Sequence, residues 1–215
     1  MSIADARPSL RLPALSPRGD EILEHIRPTF AGKGFDGASM KDLARAAGMS
    51  VGNFYRYFPS KAAIVEAIVM RDMARIEQDF SEIIVSKDPM VELRLKLTQR
   101  LKDPNCAQDG LLWAEISAAA LRKPEVAQIV ARMEEMVLSY LLNVFGRVTG
   151  QSKALVAQQY GAHAGLILML VQGNAKQKAQ DLAARRTQKL SDLTALIERQ
   201  IQSTLDEISH VHDEN

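Results

Sequence analysis

Apolar residues recur at helical spacing along almost the whole chain. Near its C-terminal end they stand three or four positions apart, at Leu190, Leu193, Ile197, Ile201, Leu205 and Ile208. Strand signals are almost absent, because no stretch alternates apolar and polar residues and no Asn-Gly or Asp-Gly pair joins two β-branched runs. We therefore predict an all-α protein.

Serine, proline and glycine residues mark the boundaries of the first helix. Ser16 and Pro17 predict its start, with the serine as N-cap, and Gly34 predicts its end. Pro28 lies inside this helix, and its ring would clash with the carbonyl group of Glu24, so we expect a kink there.

Two short helices and a long one follow. Ser39, with Asp42 three residues later, predicts the start of the second helix with a near capping box. Gly48 supplies a turn with positive φ. Ser50 begins the third helix, and Ser60 caps a long fourth helix.

The C-terminal half is expected to form longer helices. A helix from about 152 to about 174 is apolar nearly all round at its centre, and residues 175–189 are expected to form a charged loop or a frayed helix. The last helix is expected over 188–209.

Composition points to a globular protein in a reducing compartment. Apolar residues make up 47% of the chain and charged residues 25%, which is ordinary for a soluble domain. The longest strongly apolar run, Leu166 to Val171, is far shorter than the roughly 20 residues of a spanning helix, and we find no signal peptide. Cys106 is the single cysteine, which excludes an internal disulfide. We expect a cytoplasmic protein with no membrane partner.

Basic residues are concentrated in one short segment. The net charge of the chain is only +1, but four basic residues and one acidic residue lie between Ser39 and Lys61. A local basic face on a neutral chain fits a DNA-binding module attached to a larger body. The alternative is an ordinary solvated helix surface.

The segment AGMSVGNFYRYFPSK, Ala47 to Lys61, explains this charge. Two short helices joined by a glycine turn form a helix-turn-helix, whose second helix lies in the major groove of DNA. Residues at the start of that helix must approach base edges and phosphates, which fits the short side chains of Ser50, Gly52 and Asn53.

Aromatic residues of the same segment divide into two groups. Phe54 and Phe58, four positions apart, are expected to pack inward and hold the helix. The three residues between them are expected to point away from the core. They are Tyr55, Arg56 and Tyr57, and a tyrosine hydroxyl can bind a phosphate. Lys61 begins the next helix, where backbone N–H groups and the helix dipole favour a phosphate.

The segment GFDGASMKDLARAAGMSVGNFYRYFPSKAAIVEAI resembles the DNA-binding segment of the tetracycline-repressor (TetR) family of bacterial regulators, over roughly residues 18–70. The features that carry the resemblance are Gly34-Phe35, Ser39-Met40, Asp42-Leu43-Ala44, Ala47-Gly48-Met49-Ser50, Gly52, Phe54-Tyr55, Tyr57-Phe58 and Ser60-Lys61.

The resemblance implies about nine helices, with three for DNA binding, a linking fourth, and a larger bundle that binds a ligand and dimerises. The expected division is a disordered tail at 1–15, a helix-turn-helix domain at 16–62, and a ligand-binding and dimerisation domain at 63–215. The resemblance also implies a homodimeric repressor that a small molecule releases from its operator. Two-fold symmetry then requires a near-palindromic operator.

The resemblance also assigns DNA contacts residue by residue. Base-reading positions fall on Lys41, Val51, Gly52, Asn53 and Arg56. Phosphate-binding positions fall on Ser39, Tyr55, Tyr57 and Lys61.

A ligand pocket inside the larger bundle should be apolar and aromatic with few polar groups. Candidates on helical faces are Trp113, Glu115, Ile116, Met133, Met136, Tyr140, His163 and Met169. An ionised Glu115 buried there needs a partner, which is either Arg122 or a cationic ligand. The ligand's identity stays open.

The two last helices present more apolar surface than one neighbouring helix can cover, which predicts a dimer interface. Two glycines four positions apart would allow close approach of a partner helix. The expected interface residues are Gly161, Gly165, Leu166, Ile197 and Ile201.

Two alternatives belong to other classes of function. No nucleotide-binding G-x-x-x-x-G-K, metalloprotease H-E-x-x-H, hydrolase G-x-S-x-G or spaced Cys/His set occurs, so we predict neither an enzyme nor a metal or cofactor site. The second alternative keeps the DNA-binding module in an activator or a ligand-independent architectural factor.

Overall fold

The computed structural model describes residues 16–185 and 191–209. Within them lie nine helices and no strands, which confirms the all-α prediction. The helices are α1 (Pro17–Gly37), α2 (Met40–Ala46), α3 (Val51–Tyr57), α4 (Lys61–Val85), α5 (Pro89–Lys102), α6 (Cys106–Ala120), α7 (Pro124–Thr149), α8 (Lys153–Ala183) and α9 (Ser191–Ser209). The expected tail at 1–15 lies outside the described residues.

The first helix breaks at a glycine rather than at its proline. Ser16 caps α1 as predicted, by accepting a hydrogen bond from the backbone N–H of Gly19. The end expected before Gly34 coincides with a break in the helix, because Gly34 is the one non-helical residue inside α1, at φ 72° and ψ 171°, and a short helical segment continues from there to Gly37. The backbone at Pro28 keeps helical angles, so the structure shows no break at the proline. Pro28 is exposed, so the Glu24 carbonyl that lacks an N–H partner can reach water.

Helix α8 continues past the expected end at 174. Residues 175–183 are helical rather than a loop, and two contacts explain why. Ala179 is buried, and the Lys178 ammonium donates to the carbonyl oxygen of Leu101 at 2.5 Å. The side chain of Asn174 donates to the same oxygen at 3.2 Å. These contacts hold the C-terminal part of α8 against the end of α5.

The apolar core has two parts. The first combines α1–α4 with α6 and α7, and the second combines the end of α4 with α5, α7, α8 and α9. The first part is therefore continuous across residue 62, with Leu23 and Phe54 in the same cluster as Ile68 and Ile116. The domain boundary expected at that position stays a prediction.

Helix α6 lies between the N-terminal helices and α8. A Cβ atom added to Gly110 would collide with the backbone carbonyl of Ala175 on α8. The absence of a side chain at this position therefore allows the two helices to cross closely.

Among the described helices, α8 has the length and the apolar composition that a membrane-spanning helix needs. Core helices of soluble proteins pass the same test, so this does not identify a membrane protein. Exposed apolar residues along α8 include Leu155 and Met169.

Candidate nucleic-acid interface

Helix α2 begins with a complete capping box. The hydroxyl of Ser39 accepts from the backbone N–H of Asp42 at 3.1 Å, and the Asp42 carboxylate accepts from the backbone N–H of Ser39 at 3.1 Å. The Ser39 hydroxyl also donates to that carboxylate at 2.6 Å. Its one proton is thus already used, which leaves the expected phosphate contact of Ser39 without a side-chain donor in this arrangement.

The turn between α2 and α3 is a Schellman motif. Gly48 has φ +65°, and its N–H donates to the carbonyl of Arg45, while the N–H of Met49 donates to the carbonyl of Ala44 at 2.9 Å. A residue with positive φ is needed at this position, which glycine adopts without strain. The turn directs the chain into α3.

Helix α3 has one buried and one exposed face. Ser50 caps it by accepting from the backbone N–H of Asn53 at 3.3 Å. Phe54 is fully buried and Phe58 is 2% exposed, and their ring centres lie 5.6 Å apart. The prediction that these two rings anchor the helix in the core is confirmed.

The remaining side chains of α3 stay in solvent together with Lys41 of α2. Val51 is 38% exposed, Tyr55 46% and Tyr57 38%. An added Cβ at Gly52 would meet no atom within 4 Å, so this position leaves room for close approach of another molecule. The sequence-predicted residues that are exposed on α2, the turn and α3 are Ser39, Lys41, Ser50, Val51, Gly52, Asn53, Tyr55, Arg56 and Tyr57.

Lys61 has partners within the chain. Its ammonium donates to the carbonyl oxygens of Phe35 at 2.6 Å and Asp36 at 3.3 Å. An ammonium group has three donors, so one N–H remains for a phosphate. The structure thus gives Lys61 a structural contact that its sequence position did not indicate.

Asp42 reduces the basic character of this surface. Its carboxylate lies 3.0 Å from the Lys33 ammonium and 3.9 Å from the Arg45 guanidinium. Hydrogen bonds from Ser39 and Lys33 hold the pKa of Asp42 well below its usual range, so it stays ionised. Arg45, counted with the basic residues of this segment, is therefore partly neutralised.

The eight ligand-pocket candidates do not converge on one cavity. Five of them lie in or against the first core cluster, where Ile116 and Met133 are buried. His163 instead lies 3.1 Å from the carboxylate of Glu207 on α9, and Met169 is 62% exposed. The members of the first group are Trp113, Ile116, Met133, Met136 and Tyr140.

Glu115 does not pair with Arg122, one of its two expected partners. Its carboxylate lies where a Cβ of Gly34 would stand, so it packs against the break in α1. Arg122, the expected partner, instead contacts the Asp36 carboxylate at 3.2 Å. The sequence suggested a partner for Glu115 only seven positions away. The observed contact joins Glu115 to Gly34, which is far away along the chain.

The five expected dimer residues fall into two groups, three half-buried on α8 and two buried on α9. Added Cβ atoms at Gly161 and Gly165 would meet nothing within 4 Å, and Leu166 is half-buried. Ile197 and Ile201 are 8% and 0% exposed and pack into the core of their own chain. A fully buried side chain has no surface left for a partner, so Ile201 is a core residue.

The N-terminal segment matches a known family. Residues 22–68 match the model of the bacterial regulatory proteins of the tetR family. The HTH-type transcriptional regulator UidR of Escherichia coli strain K12 is 30% identical over 128 residues, which are 58% of this chain and 63% of UidR. The HTH-type transcriptional repressor AcnR of Corynebacterium efficiens is 37% identical over 105 residues, 49% of this chain and 52% of AcnR. The chain thus spans less than two thirds of these relatives.

Solved structures share the arrangement of helices. GusR of Salmonella enterica superposes with a TM-score of 0.66 at 25% identity, over 88% of this chain and 96% of that one. A transcriptional regulator from Rhodococcus sp. Rha1 superposes with a TM-score of 0.67 at 20% identity over the same shares, a likeness that shows the fold alone. The relatives named here are regulators rather than enzymes.

Proposed function

Because this chain belongs to the TetR family of bacterial regulators, we propose that it binds double-stranded operator DNA through α2 and α3 and regulates transcription. The observation that carries the proposal is the division of α3. Phe54 is buried, while Val51, Tyr55 and Tyr57 are exposed. A helix that buries its anchors and leaves aromatic, basic and small residues in solvent is suited to the major groove.

The DNA contacts are proposed on the exposed residues of this surface. Lys41, Val51, Gly52, Asn53 and Arg56 would read bases, because they lie on α2 or at positions of α3 with free space around them. Tyr55 and Tyr57 would bind phosphates through their hydroxyls, with the remaining donor of Lys61 beside them.

The proposed functional unit is a homodimer built on α8. Gly161 and Gly165 leave open space on that helix, and Leu155 and Met169 expose 43% and 62% of their surface. An apolar helix with this much exposed surface is expected to be covered by a partner, and two-fold symmetry makes the partner helix its own copy. Leu166 would lie at the edge of the contact.

The proposed regulation is repression relieved by a small hydrophobic ligand in the cytoplasm. AcnR and the KstR2 regulator of Rhodococcus jostii, a relative 29% identical over 131 residues, are repressors. The half-buried side chains of Trp113, Met136 and Tyr140 surround the first core cluster, which makes this cluster the best candidate to open around an apolar ligand. An activator with the same DNA-binding module is the alternative.

Selection from a library of random duplexes tests the DNA-binding proposal. The purified wild type is expected to enrich a near-palindromic sequence with half-site centres about 34–36 Å apart or a multiple of that distance. Arg56→Ala is expected to weaken binding to that sequence by about 1–3 kcal/mol. Selection that enriches no sequence at low salt would contradict the proposal.

A reporter gene placed behind the selected operator separates repression from activation. Repression predicts higher reporter output when the regulator is deleted, whereas an activator predicts lower output.

A further inference from the structure

A charged cluster lies where α1 meets α4 and α6. The guanidinium of Arg27, on α1, lies 3.4 Å from Asp72 Oδ1 on α4 and 3.1 Å from Asp109 Oδ1 on α6. The indole N–H of Trp113, also on α6, donates to the other carboxylate oxygen of Asp72 at 3.2 Å. One side chain of the N-terminal helices therefore contacts both of these longer helices. We call these four residues the Arg27 cluster.

The cluster is largely shielded from water. The side chains of Arg27, Asp72 and Asp109 are 17%, 19% and 24% exposed. Burial raises the pKa of Asp72, and the charge of Asp109 adds to this, while Arg27 and Trp113 oppose it. Removing one partner from a buried ion pair is costly because the remaining charge is left uncompensated. The two carboxylates therefore hold the guanidinium in place.

The other polar contact between α1 and the region after α6 is weaker. Asp36 lies 3.2 Å from Arg122 and 3.3 Å from Lys123, but Asp36 and Arg122 are 56% and 58% exposed. Exposed pairs of this kind contribute about 0–1 kcal/mol. The Arg27 cluster is thus the stronger of these two polar attachments of α1 to α6 and the residues that follow it.

Helix α6 connects this attachment to the other side of the bundle. One face carries Asp109 and Trp113 toward α1 and α4, and Gly110 packs against the backbone of α8. Cores of this kind are close-packed, so a shift of α6 against α8 also moves Asp109 relative to Arg27.

We propose that Arg27 is a positioning residue that, through Asp109, fixes the DNA-binding helices on α6 in the orientation in which both copies of a dimer reach the operator. This inference rests on the proposed function. Apparent affinity falls in proportion to the fraction of molecules in the competent orientation. Loosening the contact therefore weakens operator binding, although Arg27 lies outside the exposed surface of α2 and α3.

Asp109→Asn tests the inference through the sign of its effect. The substitution removes a negative charge, which by itself would strengthen binding to DNA. It leaves Arg27 paired with Asp72, so one positive and one negative group remain in the cluster. The inference predicts instead an operator affinity lower by about 2- to 30-fold, the range seen for residues that couple distant sites. The salt dependence of binding stays unchanged, because no phosphate contact is lost.

Asp103→Asn is the matched control. Asp103 and Asp109 both contact Arg100, at 3.6 Å and 3.4 Å, and only Asp109 contacts Arg27. The control makes the same change in charge and is expected to leave operator affinity equal or slightly higher.

Asp109 lies in the first turn of α6, where its negative charge also stabilises the helix through its dipole. A double-mutant cycle with Arg27 separates this effect on α6 from the contact with Arg27. Arg27→Lys keeps the positive charge but loses the planar group that reaches both carboxylates. The loss from Asp109→Asn is expected to disappear in the Arg27→Lys background, and Asp109→Glu is expected to restore most of the affinity. Equal losses in both backgrounds would overturn the inference.

Two outcomes separate this inference from the proposed function. A wild type that selects no duplex would overturn the proposed function and this inference together. A wild type that binds its operator normally, beside an Asp109→Asn variant of equal or higher affinity, would overturn this inference alone.

Discussion

The ammonium group of Lys61, the first residue of α4, donates a hydrogen bond to the carbonyl oxygen of Phe35 at 2.6 Å. The same group lies 5.0 Å from the centre of the Phe35 ring. The last carbonyl groups of a helix lack partners within the helix and carry partial negative charge. Lys61 therefore caps α1 and ties the first turn of α4 to it.

Replacing Lys61 by methionine should lower both stability and operator affinity. The apolar stem remains, but the charged hydrogen bond to Phe35 is lost, which should reduce the free energy of unfolding by about 1–2 kcal/mol. Urea unfolding and operator titration measure the two effects. Lys41→Met is the control, because Lys41 is exposed and should affect affinity alone. Equal stability of the two variants would contradict the structural role of Lys61.

Alanine at Gly34 and at Gly52 should act on different properties. Gly34 has φ +72°, and a Cβ there would meet the Glu115 carboxylate, so Gly34→Ala should destabilise the fold by about 1–3 kcal/mol. Gly52→Ala adds a methyl group in open space on a helix, which should leave stability equal or raise it by up to about 1 kcal/mol. It should nevertheless weaken operator binding, because the methyl group points toward the proposed groove contact.

Thermal unfolding and operator titration distinguish the two glycine variants. A Gly34→Ala protein as stable as wild type would show that the break in α1 accommodates a side chain. A Gly52→Ala protein with full operator affinity would remove Gly52 from the proposed contact surface.

Helix starts could be predicted from the sequence because they depend on residues three positions apart. The side chains of Ser16, Ser39, Ser50 and Ser60 each accept a hydrogen bond from a backbone N–H three residues later. Such contacts form within one turn and need no knowledge of the tertiary fold. The helix-turn-helix followed from these caps and from the glycine turn.

Contacts between distant elements could not be predicted in this way. Periodicity assigned Ile201 to an apolar face of its helix but did not say whether that face meets its own chain or a partner. Arg122, one of the two expected partners of Glu115, instead contacts Asp36, 86 residues away. The Arg27 cluster joins three helices, and no spacing along the sequence indicated it.

Charge placed on the open face of α8 should separate the protomers without unfolding them. Met169→Glu puts a carboxylate on a residue that is 62% exposed in the single chain, so its cost arises only where a partner covers it. Sedimentation should show a monomer with wild-type helical content, and operator affinity should fall as the dimer is lost. Ile201→Glu is the contrast, because it places a charge in the core and should unfold the protomer itself. A Met169→Glu protein that remains a dimer would place the interface elsewhere.

The pH dependence of stability should change in opposite directions for Asp72 and Asp42. Burial raises the pKa of Asp72 above 3.8, so above that pH the folded chain binds more protons than the unfolded chain. The free energy of unfolding contributed by Asp72 therefore falls as the pH rises from 3.8 to its folded pKa. Hydrogen bonds from Ser39 and Lys33 lower the pKa of Asp42, so its contribution is present above 3.8 and is lost as the pH falls toward its folded pKa.

Urea unfolding of Asp72→Asn and Asp42→Asn beside wild type, from about pH 3 to about pH 7, measures both contributions. The stability of wild type relative to Asp72→Asn should decrease as the pH rises above 3.8. The stability of wild type relative to Asp42→Asn should increase as the pH rises toward 3.8 and then stay constant. Asparagine does not titrate in this range, so each difference isolates one carboxyl group. A rising difference for Asp72→Asn would mean that the attraction of Arg27 outweighs burial and holds the pKa of Asp72 below its ordinary value.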